Sequence, residues 1–343
     1  MLQLHYLPAG ALARAAPSAS FPLFGVACFG PQTQGDMSPT APPVAWVQLE
    51  PPAGEPALCE AWSTQGPLQR GQHGRVQWCG NAGLLFGAVQ VHERALAQAE
   101  TVPPLQEAAR VAYAELFGAL DGLGYPHLLR VWNHVPDING MSHGLERYRL
   151  FNIGRQDAFL ANGRNVVGAS VPAASALGAA ANAPLLVYCI ASRQPAAAIE
   201  NPRQLSAYDY PQDYGPRSPT FSRASLVSFG SQRLLFISGT ASIVGHRTLH
   251  AGDVAEQTRE TLRNIDAVLQ QAQARGAAGM TLADLHYKVY VRHAADWPVI
   301  RAELQRAAGA AVRVIALQAD VCRMDLLVEI EATGLQPASQ GTS

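Results

Sequence analysis

Two strand-like runs recur along this chain at nearly constant distance. Leu84-Leu85-Phe86 returns as Leu234-Leu235-Phe236, 150 residues on, and HLLRVWNHV (127–135) returns as LHYKVYVRH (285–293) at an offset of 158. A helical pattern lies between the members of each set. Leu105, Ala109, Ala112, Leu116 and Leu120 make one apolar stripe, and Leu262, Ile265, Val268 and Leu269 make the other. A second helical stretch and a closing strand follow in each half: GLERYRLFNIGRQDAFL then PLLVYCIAS, and a helix capped by Asp296 with Pro298 in its first turn, then strands near Val312 to Leu317 and Leu326 to Glu331. A repeat of this kind sets the architecture, because each copy is one supersecondary unit. The expected fold is α+β: two copies of one α/β unit, with helices packed on mixed sheets. Chance coincidence of short apolar runs is the competing reading.

The length of 343 residues agrees with two domains at roughly 150 residues each. The expected division is 1–195 with an irregular N-terminal extension over its first 70 residues, a connector at 196–225, a second unit at 226–335, and a disordered tail at 336–343. Asp253, followed three residues later by Glu256, reads as the start of the helix in the second unit.

Hydrophobic residues make up 48% and charged residues 15%, with a net charge of −1. Neither a disordered chain nor a general affinity for nucleic acid or anionic membrane agrees with that balance. Lys288 is the single lysine, so 24 of the 25 basic residues are arginine. The five cysteines, Cys28, Cys59, Cys79, Cys189 and Cys322, are odd in number and never form C-x-x-C. That is a poor disulfide scaffold or zinc site and points to a reducing cytoplasm. The uncharged stretch 165–192 holds Pro172, Asn182 and Pro184 among Ala, Gly and Ser, and reads as a buried loop leading into a strand rather than a membrane span. No phosphate-binding glycine loop, nucleophile elbow or metal-ligand set is present, and no cofactor is expected.

Three segments could carry chemistry. ENPRQLSAYDYPQDYGPRSPTFSRA (200–224) has three arginines and three tyrosines without secondary-structure periodicity. Such groups bind carboxylates, or else pack a surface loop. In ERYRLFNIGRQDAF, Tyr148 and Arg155 are seven residues apart and share a helix face, which is either solvated or lines a site. In ALQADVCRMDLLVEIEA, Glu329 and Glu331 point the same way. On a solvent face they need no explanation; in a cleft, a carboxyl among Leu and Val would be held protonated as a general acid. Cys322 and Glu329 are an odd number apart, so they converge only if a turn lies between them, around Arg323 to Asp325.

These residues carry a resemblance. The segment from about Arg233 to Ala332 resembles the YjgF/RidA fold, through SGTASIVGH, the GD-x-x-x-Q-T helix start (Gly252, Asp253, Gln257, Thr258) with Asn264, and the closing VEIEA. The whole chain is more similar to the chorismatase family, through LRVWNHVPDIN, YRLFNIGRQDAF, the 200–224 connector, SGTASIVGH and CRMDLLVEIEA. Within it the resemblance is to members that make 3- and 4-hydroxybenzoate for aryl-polyene pigment and quinone pathways. It implies two YjgF/RidA-like units, chorismate as substrate, pyruvate and a hydroxybenzoate as products, and neither nucleic acid, membrane, metal nor cofactor as partner. Glu329 is implied as the acid and Cys322 as the residue steering aromatisation. Tyr148, Arg155, Tyr208, Arg217 and Arg223 are implied in substrate binding, with Gly239, Thr240 and Ala241 shaping the pocket. Related small proteins form trimers, so a homotrimer or a monomer is expected. An enamine/imine deaminase of the YjgF/RidA type is the alternative, weakened because Arg313 is one residue out of register for its carboxylate clamp. Release of a dihydroxy-cyclohexadiene carboxylate is the other.

Overall fold

The structure is a computed structural model, and it describes residues 1–11, 20–30, 41–96, 102–168 and 170–337. The far end of the expected tail, from 338 on, lies outside these residues.

Among the described residues, twenty strands and four α-helices follow one another. The N-terminal segment holds β1 (Leu2–Pro8), β2 (Leu23–Phe29), β3 (Val44–Val47) and β4 (Leu58–Thr64), in the order β1-β4-β2-β3. The first unit comprises β5 (Gln69–His73), β6 (Val76–Gly80), β7 (Leu84–Val91), α1 (Pro104–Leu123), β8 (His127–Pro136), the small hairpin β9 (Met141–Ser142) and β10 (Leu145–Glu146), α2 (Arg147–Ala161), β11 (Ala173–Ala179) and β12 (Leu185–Ser192). The second comprises β13 (Ala197–Ile199), β14 (Ala224–Phe229), β15 (Gln232–Thr240), the small hairpin β16 (Ile243–Val244) and β17 (Arg247–Thr248), α3 (Val254–Gln273), β18 (His286–Val291), α4 (Trp297–Ala308), β19 (Arg313–Gln318) and β20 (Val328–Pro337).

The two six-stranded sheets have one topology. Their orders are β11-β8-β12-β7-β6-β5 and β19-β18-β20-β15-β14-β13, strand for strand. In each, the outermost pair (β11 with β8, β19 with β18) is parallel and the other pairs are antiparallel. Strand alternation decides which side chains face which layer. Leu84 and Phe86 join Leu234 and Phe236 in the core between the sheets, while Leu85 and Val89 turn to α1, and Leu235 and Ile237 to α3. The sheets therefore meet face to face, with a helix layer outside each. Leu2, Leu4, Phe24, Val47 and Trp62 of the N-terminal sheet complete the inter-sheet core.

Four local expectations need correction. The described part of the first 70 residues, expected as irregular strands and loops, contains a regular four-stranded sheet, since β1 to β4 pair with one another. The stretch 165–192 contains a full strand, β11. Its sequence AASALGA has weak strand propensity, and it is small because β11 lies against β15 of the other unit. Ala174 N–H donates to Ser238 Oγ (2.9 Å), and Gly178 N–H to Asp320 O (2.8 Å). Asp296 stands at the N-cap of α4 but makes no side-chain cap bond. It has helical φ and ψ at the end of a 3-10 turn, not the extended geometry a capping side chain needs. On β18 the sequence alternates Leu285, Tyr287, Val289 and Val291 with residues expected to be polar or exposed, yet Lys288 and Tyr290 are as buried as Tyr287 and Val289, because their face meets the first unit.

Asp253 caps α3 as expected, its Oδ1 accepting from Glu256 N–H at 3.0 Å. In α2, Gly154 lets the helix lie directly on α1: a Cβ there would sit 1.9 Å from Gln106 O. Among the described residues, no helix is long and apolar enough to cross a membrane.

Candidate active site

The two units enclose a cavity of about 280 Å³, a size suited to one small ligand. Five segments line it. From the first unit come Tyr148, Arg149 and Arg155 with Glu146, and the small residues Ala174, Ser175 and Ala176 of β11. The connector gives Gln204, Tyr210, Asp213, Tyr214, Phe221 and Arg223. The second unit gives Gly239, Ala241 and Ile243, the turn Cys322-Arg323-Met324, and Glu329 at the start of β20.

Each segment has a local reason to be there. Tyr148 and Arg155 leave one face of α2, two helical turns apart. The turn between Val321 and β20 lets Cys322 and Glu329 face the same cavity although they are an odd number apart. Gln257 of α3 pins that turn: its Nε2 donates to Asp325 O (2.8 Å) and its Oε1 accepts from Leu327 N–H (2.8 Å). Asn264 holds the opposite wall, donating to Ala241 O (3.0 Å) and Ile243 O (2.9 Å). The side chains of the GD-x-x-x-Q-T helix thus hold the loops and do not line the cavity. Arg323 lies against Tyr210 and Tyr214, 5.3 and 4.3 Å from the ring centroids, and Tyr214 donates to His246 O (2.7 Å).

Two guanidinium groups are buried in the walls and form no salt bridge with a described carboxylate, although the charge of Glu200 reaches Arg223 without pairing with it. Arg155, 2% exposed, donates to Thr220 O and lies over Tyr113 and Phe159, 5.3 and 5.5 Å from their ring centroids. Arg223, 4% exposed, donates to Leu205 O (2.7 Å) and Tyr210 Oη (3.0 Å). The Nε of each is buried and lacks a partner among the described residues. A buried cation without a counter-ion is costly, and an anion entering the cavity would relieve that cost at both places.

Facing them, Glu329 makes no hydrogen bond to a described residue. Burial, and then the negative charge of Glu331, push its carboxyl up to about 8, against the pull of Arg130 and Arg223. It is a neutral acid near neutral pH. Burial, with Glu329 next, pushes the Cys322 thiol up to about 12, so it is a thiol and not a thiolate. Burial also raises the Tyr148 phenol, which stays protonated. Such a cavity can take a small dianion and present it with an uncharged proton donor.

Comparison with known proteins agrees in both sequence and shape. Residues 60–191 match the family described as Chorismatase FkbO/Hyg5-like, N-terminal, and residues 219–336 match Endoribonuclease L-PSP. A protein of Streptomyces rapamycinicus named Chorismatase is 40% identical over 284 residues, covering 80% of this chain and 81% of its own. The chain belongs to the chorismatase family. A 3-hydroxybenzoate synthase of Streptomyces hygroscopicus is 36% identical over 298 residues, 83% of each chain. A crystal structure of a chorismatase superposes with a TM-score of 0.84 at 31% identity, covering 97% of this chain and 98% of that one. These relatives support an enzyme that acts on chorismate.

In this chorismatase-family chain, the cavity brings together Glu329, Cys322, Tyr148, Arg155, Arg223, Gly239 and Ala241. It does not include Tyr208, Arg217 or Thr240. Tyr208 sits in a 3-10 turn and Tyr210, two residues on, lines the cavity instead. Arg217 is exposed and approaches Asp157 at 3.8 Å. Thr240 is buried beside the cavity, its hydroxyl donating to Ser238 O at 2.8 Å. Arg313 begins β19 and donates to Asp284 O (2.6 Å), in a groove against β1 away from the cavity. Sequence reasoning missed Tyr210, Tyr214 and Arg323, whose signal was the tyrosine-rich connector and the residue next to Cys322. It also missed Ser175, which carries no signal in an Ala-rich strand.

Proposed function

We propose that the chain converts chorismate into pyruvate and a hydroxybenzoate, with Glu329 as general acid. One observation carries the reading: two buried guanidiniums that form no salt bridge among the described residues, Arg155 and Arg223, share a cavity with a neutral carboxyl. Chorismate brings a ring carboxylate and an enolpyruvyl carboxylate, one for each cation. A substrate held between two fixed forks is also oriented, which is worth as much as the proton transfer.

In this account Glu329 donates its proton to the methylene carbon of the enol ether. Positive charge develops on the ether carbon, and the ring C–O bond breaks with its electron pair going to oxygen, which gives pyruvate. The neighbouring ring hydroxyl oxygen closes on the vacated carbon and loses its proton. The epoxide-like ring then opens and a ring hydrogen leaves as a proton, giving 3-hydroxybenzoate. Opening in the other sense gives 4-hydroxybenzoate. No water is consumed, and the two products together contain the atoms of chorismate. Cys322, a protonated thiol, serves as hydrogen-bond donor to the opening oxygen rather than as nucleophile. Water capture would instead yield a dihydroxy-cyclohexadiene carboxylate. All the residues named come from one chain, and we place the reaction in the cytoplasm, where the free thiols stay reduced.

The deaminase alternative needs a carboxylate-holding arginine on the penultimate strand, and Arg313 lies in a different groove. Incubation of the purified chain with chorismate, with pyruvate assayed and aromatics separated by chromatography, tests the reading. A hydroxybenzoate equimolar with pyruvate is expected. Unchanged chorismate contradicts it.

A further inference from the structure

Next to the acid, β20 carries a second carboxylate that does not line the cavity. Glu331 is 4% exposed, and all its acceptor positions are filled. Oε2 accepts from Arg130 Nη2 (2.6 Å) and Ser175 Oγ (2.7 Å). Oε1 accepts from Trp132 Nε1 (2.7 Å) and stands 2.9 Å from Lys288 Nζ. Burial alone would protonate Glu331, but Lys288, Arg130 and the Ser175 bond hold it down to about 2. Lys288 is itself shared with Glu60 at 2.7 Å and Tyr188 at 3.2 Å. The donors come from β8, β11 and β18, so both units take part in fixing this one charge.

We propose that Glu331 is a positioning residue for the reaction: its fixed negative charge, two places along β20 from Glu329, keeps the acid's proton in place between turnovers. Arg130, Ser175, Trp132 and Lys288 act through it by holding that charge still. The inference rests on Glu329 being the acid.

The groups that face Glu329 leave this role to Glu331. Arg130 from β8 and Arg223 before β14 favour the ionised form, and Arg155 of α2 lines the same cavity. Cys322 and Tyr148 are neutral there. Tyr290, the cross-strand neighbour of Glu329 on β18, is held neutral by burial. Asp213 is exposed, and Glu146, half-buried, is paired with Arg149 at 3.4 Å. Among the described residues, Glu331 is the one buried anion that opposes ionisation of Glu329. Buried ion networks contribute little net stability compared with apolar replacement, so stability alone does not account for charge at this position.

The test follows the carbonyl stretch of a protonated carboxyl by infrared difference spectroscopy on the intact chain without substrate, assigned by its loss in Glu329→Gln. The alkaline limb of kcat/KM with chorismate is measured in parallel. In Glu331→Gln both midpoints should move down by about one pH unit or more. That variant leaves Arg130 and Lys288 facing one carboxylate fewer and can unfold, so Glu331→Gln combined with Lys288→Met, which removes one charge of each sign, is the second variant. Lys288 pairs with Glu331 and does not line the cavity, so a downward shift of the same sign is expected. An unmoved midpoint in a folded variant, whatever its rate, overturns the proposal and leaves Glu331 a structural residue. A wild-type chain with no Glu329 band at neutral pH overturns the acid assignment, and this inference with it.

Discussion

Glu329 and Glu331 leave the same face of β20, two residues apart and equally buried at 4% exposure, yet they hold protons at opposite ends of the scale, near 8 and near 2. The difference lies in their partners. Glu331 takes donors from Arg130, Ser175, Trp132 and Lys288, while Glu329 takes none among the described residues and faces the cavity. One strand thus presents a fixed anion and a neutral acid side by side, and divergent environments of this kind mark acid–base roles.

The pH dependence follows from the sign of that shift. Glu329 acts as its protonated form, so kcat/KM should be level at neutral pH and fall as pH rises through about 8. A bound dianion raises the carboxyl further, so the limb in kcat should lie at higher pH than the limb in kcat/KM. The same shift opposes stability: between the ordinary 4.5 and about 8 the unfolded chain has released a proton that the folded chain keeps, so stability declines across this window. Glu329→Gln should flatten that decline in denaturant titrations. An activity profile level well beyond the limb would contradict the assignment.

Gly239 tests how tightly the acid is held. A Cβ there would lie 1.9 Å from Glu329 Oε1 and 2.9 Å from Ser175 Cβ. Gly239→Ala must therefore displace the carboxyl or part β11 from β15. Overpacking costs about 1–3 kcal/mol of stability, and a displaced acid costs on the order of 10²-fold in turnover. Thermal unfolding and pyruvate release on the same sample should show both losses. Wild-type turnover would mean that the position of Glu329 is unimportant.

How much of this was legible in the sequence depended on the kind of signal. The repeat was legible because alternation in Leu84-Leu85-Phe86 and Leu234-Leu235-Phe236 survives in both copies, and the two sheets share one strand order. Strand β11 was not, because close approach to β15 demands small residues, and AASALGA then resembles a loop. Glu329 was legible as a carboxyl alternating with apolar residues and Arg155 as sharing a helix face with Tyr148, and the resemblance assigned both to the site. The same alternation paired Glu331 with Glu329, but its ion network with Arg130 and Lys288 was missed because alternation alone leaves open a solvent face where the other unit in fact packs. Tyr208 was implied by the resemblance, and nothing in the connector's own sequence fixes which tyrosine beside the 3-10 turn lines the cavity, where Tyr210 stands.

Cys322 governs the branch after pyruvate leaves. Cys322→Ala opens a small space that admits water, so pyruvate release should continue while 3-hydroxybenzoate falls and a non-aromatic dihydro-diol, or a larger share of 4-hydroxybenzoate, appears. A packing role alone would cost about 1 kcal/mol and lower all products together. The ratio of 3-hydroxybenzoate to pyruvate at equal folded protein separates the two, and an unchanged ratio removes the thiol from the chemistry.

The central claim is that Glu329 delivers the proton that starts the reaction on chorismate. The most direct measurement is pyruvate release from chorismate by Glu329→Gln, with folding checked by thermal unfolding and chorismate binding by calorimetry. The amide keeps the size of the side chain but cannot give up the proton, so binding and fold should persist while the rate drops by about 10² to 10⁴-fold. A folded variant that binds chorismate and keeps more than roughly a tenth of the wild-type rate would contradict the account, because a general acid is worth at least ~10²-fold.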